Sequence, residues 1–247
     1  IIGKMDVALI ETAHIMRVLE PVWHTKAETA SRLRGRLEAV LDWATVHRYR
    51  TGDNPARWKG HLDALLPARS KVAKSKHFAA LPWRDMKPFM AELRQQSGIG
   101  ALALQFTILT AARSGEVRGM AWYEVDFEHK LWTVPGERMK AGKEHRVPLS
   151  DAAMQLLESL KDTKLADTDI VFPSTRDHKP LSDMTLTAVL RRMKRDDITV
   201  HGFRSSFRDW AAEATDYPQE MAEMALAHIV GNKVEAAYRR GDMLEKR

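Results

Sequence analysis

The residues able to do chemistry fall in five short pieces, in a fixed order along the chain. TAARSGEV carries Arg113 with Glu116 three residues on, and RMKAGKEHRVPLS carries Lys140 and Lys143. HGFR carries His201 and Arg204, LAHIVGN carries His228, and EAAYRR carries Tyr238. These residue types suit an anionic substrate. An arginine fork binds two oxygens at once and keeps its charge. Fixed donors and cations stabilise the charge that grows on a phosphoryl group during displacement. A tyrosine hydroxyl can attack phosphorus, and a lysine can protonate an oxygen leaving group. VHGFRSSFRDW, residues 200–210, reads as a helix start, where His201 and Arg204 share a face at i and i+3.

Each piece also has a plain structural reading. Glu116 is an obvious partner for Arg113, and Lys140 alone is an ordinary hairpin lysine with Lys143 as a rival. His201 can simply begin a helix, and His228 can sit as a cation at a helix C-terminus. Tyr238 can pack beside Ala236 and Ala237. It is the set, in order, that carries weight. The order Arg, Lys, His-x-x-Arg, His, Tyr resembles the tyrosine recombinases, and within them the phage and genomic-island integrases, over the whole chain. The resemblance implies that Arg113 and Arg204 clamp the non-bridging oxygens of a DNA phosphodiester, with His201 donating to the phosphate or managing the nucleophile's proton, His228 as a further donor and Glu116 supporting Arg113. It makes Tyr238 the nucleophile that forms a 3′-phosphotyrosine, and Lys140, early in its hairpin, the general acid for the departing 5′ oxygen. It implies no cofactor and no metal. Its rivals are a type IB topoisomerase, which shares the chemistry, and a catalytically silent DNA-binding fragment.

Composition agrees with a polyanionic partner. The net charge is +6, from 39 basic and 33 acidic residues. Residues 1–76 hold 14 Lys/Arg against 8 Asp/Glu, and residues 77–247 hold 25 of each, so the surplus sits in the first third. With no cysteine there is no disulfide framework and no thiolate site. The 10 histidines show no ligand spacing, and neither a GxxxxGK[ST] nor a GxGxxG loop occurs. No apolar run is long enough to span a membrane. The expected place is the bacterial cytoplasm, at the nucleoid. The opening IIGKMDVALIETAH reads as cut from a longer chain; the resemblance implies an arm-binding domain before it and a longer tail after the tyrosine.

The elements that must position these residues follow from hydrophobic periodicity. Residues 24–49 read as one long helix, with a capping box of Thr25 and Glu28 and an apolar stripe of Leu33, Leu37, Val40, Leu41 and Ala44. Arg32, Arg34 and Arg36 lie largely off the stripe and, with Lys26, are candidates for phosphate contacts. HLDALLP reads as a short helix, and ARSKVAKSK, near 69–77, as a basic linker. The expected domains are 1–76, a helical core-binding domain, and 77–247, a catalytic domain. In the second, LPWRDMKPFMAELRQQ is a helix and GIGALALQFTILTAAR a helix buried nearly all round. KLWTVPG and EHRVPLS are strand-like. Asp151 is expected to cap AAMQLLESL, and MTLTAVLRRMKRDD, VHGFRSSFRDWAAEA, PQEMAEMALAH and NKVEAAYRR read as helices. The fold class is mainly α with a small antiparallel β-sheet. By resemblance the partners are double-stranded DNA and further copies of the chain. They form a tetramer on DNA from a monomer or weak oligomer, with room for accessory DNA-bending or directionality proteins.

Overall fold

The computed structural model describes residues 1–72, 78–162, 164–228 and 241–246. The chain divides into two compact units, Ile1–His77 and Phe78–Arg247.

The first unit is helical. Helix α1 (Thr12–Trp23) buries Ile15, Leu19 and Trp23, one residue per turn on one face. The periodicity reading gives this segment no helix. Helix α2 (Ala27–Val46) packs on it and buries Ala27, Ala30, Leu41 and Ala44. Trp23 stacks on Trp58 at 5.5 Å between centroids and donates its indole N–H to the Pro67 carbonyl at 2.9 Å. Three expectations are corrected here. The Thr25–Glu28 capping box does not form: Lys26 is the N-cap residue and no side chain caps the helix. Glu28 instead accepts from Arg32 at 2.9 Å and pairs with Arg69, because two guanidiniums outcompete a neutral backbone N–H. Val40 falls off the stripe and is exposed. HLDALLP forms only a 3-10 turn over Leu62–Ala64, and a short helix α3 (Arg69–Val72) opens the segment expected to be a linker.

The second unit wraps helices round α5 (Ile99–Thr110), whose Ala101, Ala103, Leu104, Gln105, Phe106 and Thr107 are all buried. An all-round apolar sequence gives a central helix because every face meets a neighbour. Helix α4 (Met86–Leu93) precedes it, after a 3-10 turn over Trp83–Asp85, and α6 (Ser114–Arg118) follows. Strands β1 (Val125–Asp126), β2 (Leu131–Val134) and β3 (His145–Pro148) form an antiparallel sheet in the order β1-β2-β3, with Trp132 opposite Val147 and Val134 opposite His145. Phe106 packs on Trp132 and on Phe172, which ties sheet to helix.

Helix α7 (Asp151–Lys161) starts one residue earlier than expected: Ser150, not Asp151, is the N-cap, its hydroxyl accepting from the Ala153 N–H. Asp151 sits in the first turn and pairs with Lys130 at 2.7 Å. Helices α8 (Thr185–Arg192), α9 (Gly202–Ala214) and α10 (Gln219–Ala225) complete the unit, with a 3-10 turn at Leu244–Lys246. The expected helix NKVEAAYRR lies outside the described residues. Among those described, no helix is long and apolar enough to cross a membrane.

Gly202 shows why α9 begins as it does. A Cβ there would stand 2.1 Å from the Ala79 carbonyl oxygen, so only glycine lets the strand-like segment at Ala79 cross the helix start. That crossing is fastened by Thr199, whose N–H donates to the same carbonyl at 2.9 Å, and by the Ser206 hydroxyl on the Leu81 carbonyl. The glycine of HGFR is thus a packing requirement that fixes where His201 and Arg204 emerge.

Candidate functional site

The site is built from the ends of four helices. Helix α5 ends at Ala111, whose φ of 51° is left-handed and turns the chain sharply into α6. Arg113 is the N-cap residue of α6. Its backbone N–H donates to Glu116 Oε2 at 2.9 Å and its guanidinium to Glu116 Oε1 at 2.7 Å. Glu116 is buried, so the sequence pair R-x-x-E becomes a clamp that fixes backbone and side chain together.

Helix α10 ends in a second reversal. Ala227, at φ 49°, is left-handed; its N–H donates to the Met224 carbonyl and the His228 N–H to the Glu223 carbonyl, each at 2.9 Å. This paired pattern is a Schellman turn with alanine in place of the usual glycine. It aims the carbonyls of Leu226 and Ala227, and the His228 ring, at the two arginines.

Arg204, on the first turn of α9, is buried. It donates to the Ala111 carbonyl at 2.6 Å and to the Leu226 carbonyl at 2.5 Å, and stands 3.1 Å from His228 Nε2. Arg113 donates to the Ala227 carbonyl at 3.2 Å. Both guanidiniums therefore rest on the oxygen-rich C-terminal ends of helices, where the dipole favours a cation. Burial, and then the Arg113 charge, pull the Arg204 pKa down to about 10. Its Nε–H is buried with no hydrogen-bond partner among the described residues.

His201 is the N-cap residue of α9, in helical conformation, and its carbonyl accepts from the Arg204 N–H at 3.1 Å. Its ring is tilted against Phe78 at 4.6 Å. Partial burial, then the charges of Arg204, Arg113 and His228, hold its pKa below the ordinary histidine value. His201, Arg113, Arg204 and His228 thus share one electrostatic neighbourhood.

Lys140 and Lys143 are exposed on the β2–β3 hairpin and touch none of these groups among the described residues. The hairpin's base is fixed. Arg138 donates to Glu124 at 2.5 Å, and Trp132 donates to the same carboxylate at 3.0 Å. Lys140 is two residues from that anchor, whereas Lys143 follows Gly142, whose φ is +66°. Tyr238 lies outside the described residues. Of the first-unit candidates, Lys26, Arg32 and Arg36 are exposed, with Arg32 paired to Glu28. Arg34 is corrected: its guanidinium donates to Glu38 at 2.5 Å and to the Ala56 carbonyl at 2.9 Å and lies over Trp58. It braces the unit's own core, so it is not a surface cation.

Two residues, Glu223 and Arg208, escape the sequence reading. Glu223 accepts from His228 Nδ1 at 2.6 Å and from Arg208 Nε at 2.6 Å. A five-residue separation across a helix end has no period to betray it. Among the described residues no group of His, Asp and Glu is arranged to hold a metal ion.

The chain matches the phage integrase family over residues 81–245 and the phage integrase central domain over residues 1–61. It belongs to the phage integrase family. It is 31% identical to the integrase of Enterobacteria phage P4, over 96% of this chain and 56% of that protein. It is 29% identical to the prophage integrase IntA of Escherichia coli strain K12, over 100% and 58%, and 30% identical to the integrase of Shigella phage Sf6, over 100% and 63%. The chain thus spans less than two thirds of these relatives' length. Its fold matches a lambda integrase (75–356) dimer bound to a COC′ core site, with a TM-score of 0.64 and 21% identity over 96% of this chain and 82% of that one. It also matches the Tn1549 transposon integrase (aa 82–397) in complex with circular intermediate DNA, with a TM-score of 0.64 and 13% identity over 96% and 88%.

Proposed function

We propose that this chain is the core-binding and catalytic part of a site-specific recombinase that cuts and rejoins DNA through a 3′-phosphotyrosine. The observation that carries the reading is the convergence of Arg113, Arg204 and His228, tied by hydrogen bonds of 3.2 Å or less to the ends of α5 and α10. Two fixed guanidiniums retain N–H donors beyond those spent on protein acceptors, which suits the two non-bridging oxygens of one phosphodiester.

In the proposed reaction the Tyr238 oxygen attacks phosphorus while His201 takes up its proton, and the bond to the 5′ oxygen breaks. Lys140 gives the departing oxygen its proton. The phosphate stays esterified to Tyr238. The 5′ hydroxyl of a partner strand then attacks the same phosphorus and releases the tyrosine, so bond energy is conserved and no nucleotide cofactor is consumed. Residues 1–77 add phosphate contacts, for which Lys26, Arg32 and Arg36 remain the candidates. The working assembly is a tetramer on double-stranded DNA in the bacterial cytoplasm, at the nucleoid, and accessory DNA-bending or directionality proteins fit the same scheme. Family membership favours strand exchange over simple relaxation.

The test is a nicked half-site substrate that traps the cleaved state. The wild-type chain should yield a protein–DNA adduct stable to SDS, and Tyr238→Phe none, at nearly unchanged DNA affinity. An adduct with Tyr238→Phe would transfer the nucleophile's role to another residue. Relaxation of supercoiled plasmid without joining of two duplexes would favour the topoisomerase reading.

A further inference from the structure

Glu223 touches no atom that the proposed reaction changes, yet it touches His228 directly and is joined through Arg208 to α9. His228 Nε2 faces an Arg204 nitrogen, which can only donate, at 3.1 Å. Nε2 must therefore accept, the ring proton sits on Nδ1, and that proton is donated to Glu223 Oε2 at 2.6 Å. The Schellman turn brings this about, folding His228 back over the helix end on which Glu223 stands.

We propose that Glu223 is a positioning residue: it holds the His228 ring with Nδ1 protonated and Nε2 aimed at Arg204 in the phosphate clamp. The proposal rests on the recombinase reading and adds to it the control of one side chain. From α9 His228 faces Arg204 and, at the helix start, His201. Glu223 is the carboxylate in contact with it, as with the outer-shell carboxylates that orient functional histidines elsewhere. Burial pushes the Glu223 carboxyl up, but the donors on His228 and Arg208 more than reverse this and leave it below the ordinary glutamate value, so it is charged wherever the enzyme works. Arg208 fixes the carboxylate's second oxygen and thereby the direction of the first.

The experiment uses the whole chain and two independent readouts. On the nicked half-site, Glu223→Ala should slow adduct formation about 10- to 100-fold, the usual cost of losing such an outer partner. Glu223→Gln keeps the shape and an oxygen that can accept from Nδ1–H, so it should recover most of the rate lost in Glu223→Ala. In a His228→Ala background, Glu223→Ala should cost nothing further. An equal cost in both backgrounds would overturn the proposal, because Glu223 would then act through something other than the histidine. Thermal unfolding of each variant separates misfolding from lost positioning. The second readout needs no DNA: imidazole nitrogen NMR should find Nδ1–H at His228 in the wild type and lose that preference in Glu223→Ala. Retention of the same tautomer would also overturn the proposal. Absence of any wild-type adduct would instead refute the recombinase reading, while the NMR result would still decide the role of Glu223.

Discussion

A lysine at position 204 would inherit an environment that has already pulled an arginine down to about 10, through burial first and the Arg113 charge second. Lysine starts from about 10.4, so the same environment brings it to roughly pH 8, within the working range of a DNA enzyme. Two opposed trends follow. Cleavage by Arg204→Lys should fall as pH rises through about 8, because the phosphate clamp loses a charge that arginine keeps. Stability should move the other way. Between about pH 8 and 10.4 the unfolded chain holds a proton at this residue that the folded chain has lost. The unfolding free energy therefore rises with pH across that window, by about 3 kcal/mol in full. Superimposed is a pH-independent loss of about 1–3 kcal/mol, since lysine lacks the planar fork whose two nitrogens serve the Ala111 and Leu226 carbonyls separately. The assays are single-turnover adduct formation and urea unfolding, each at intervals from about pH 7 to 9.5, beside the wild type. A variant whose cleavage is flat over that range, or whose stability falls with pH, would refute the reasoning.

Three further outcomes can be checked. Glu116→Ala should lower stability by about 3 kcal/mol, read from the urea midpoint, because it leaves the Arg113 backbone N–H and guanidinium without their buried partner. Lys140→Ala should slow cleavage by about 10²- to 10⁴-fold and recover on a substrate with sulfur in place of the 5′ bridging oxygen; recovery by Lys143→Ala instead would assign the proton to the other hairpin lysine. A chain beginning at residue 78 should bind DNA more weakly, with a salt slope shallower by about 0.9 for each phosphate that residues 1–77 neutralise, and an unchanged slope would remove those residues from the interface.

What can be read from the sequence is local. The apolar run 99–110 announces a helix covered on all faces, and the alternating runs at 131–134 and 145–148 announce strands, because burial pattern and period sit inside a few residues. The order of the basic residues announces the family. What escapes depends on distant partners. Arg34 lies off the apolar stripe and looks like a surface cation until Ala56, 22 residues away, supplies its acceptor. The Thr25 box is outweighed by Arg69, which reaches Glu28 from 41 residues away. Glu223 and His228 meet only because Ala227 enters the left-handed region, a choice that an alanine gives no sign of making. His201 and Arg204 belong together as the sequence suggests, one at the N-cap of the helix and the other buried at its first turn.

The arginine clamp has an unusual mode of inheritance. Its protein acceptors at residues 111, 226 and 227 are main-chain oxygens, delivered by two alanines in left-handed turns. Every amino acid carries the same carbonyl, so substitutions at Ala111 and Ala227 that keep the turn leave these hydrogen bonds in place, and glycine would enter that backbone region with less strain. Length is a different matter. One residue inserted between Thr110 and Arg113, or between Leu226 and His228, would rotate the oxygens away from both guanidiniums at once. Divergence at these helix ends is therefore free to proceed by replacement while insertions and deletions are penalised, and a comparison of lineages should find the spacing here better kept than the letters.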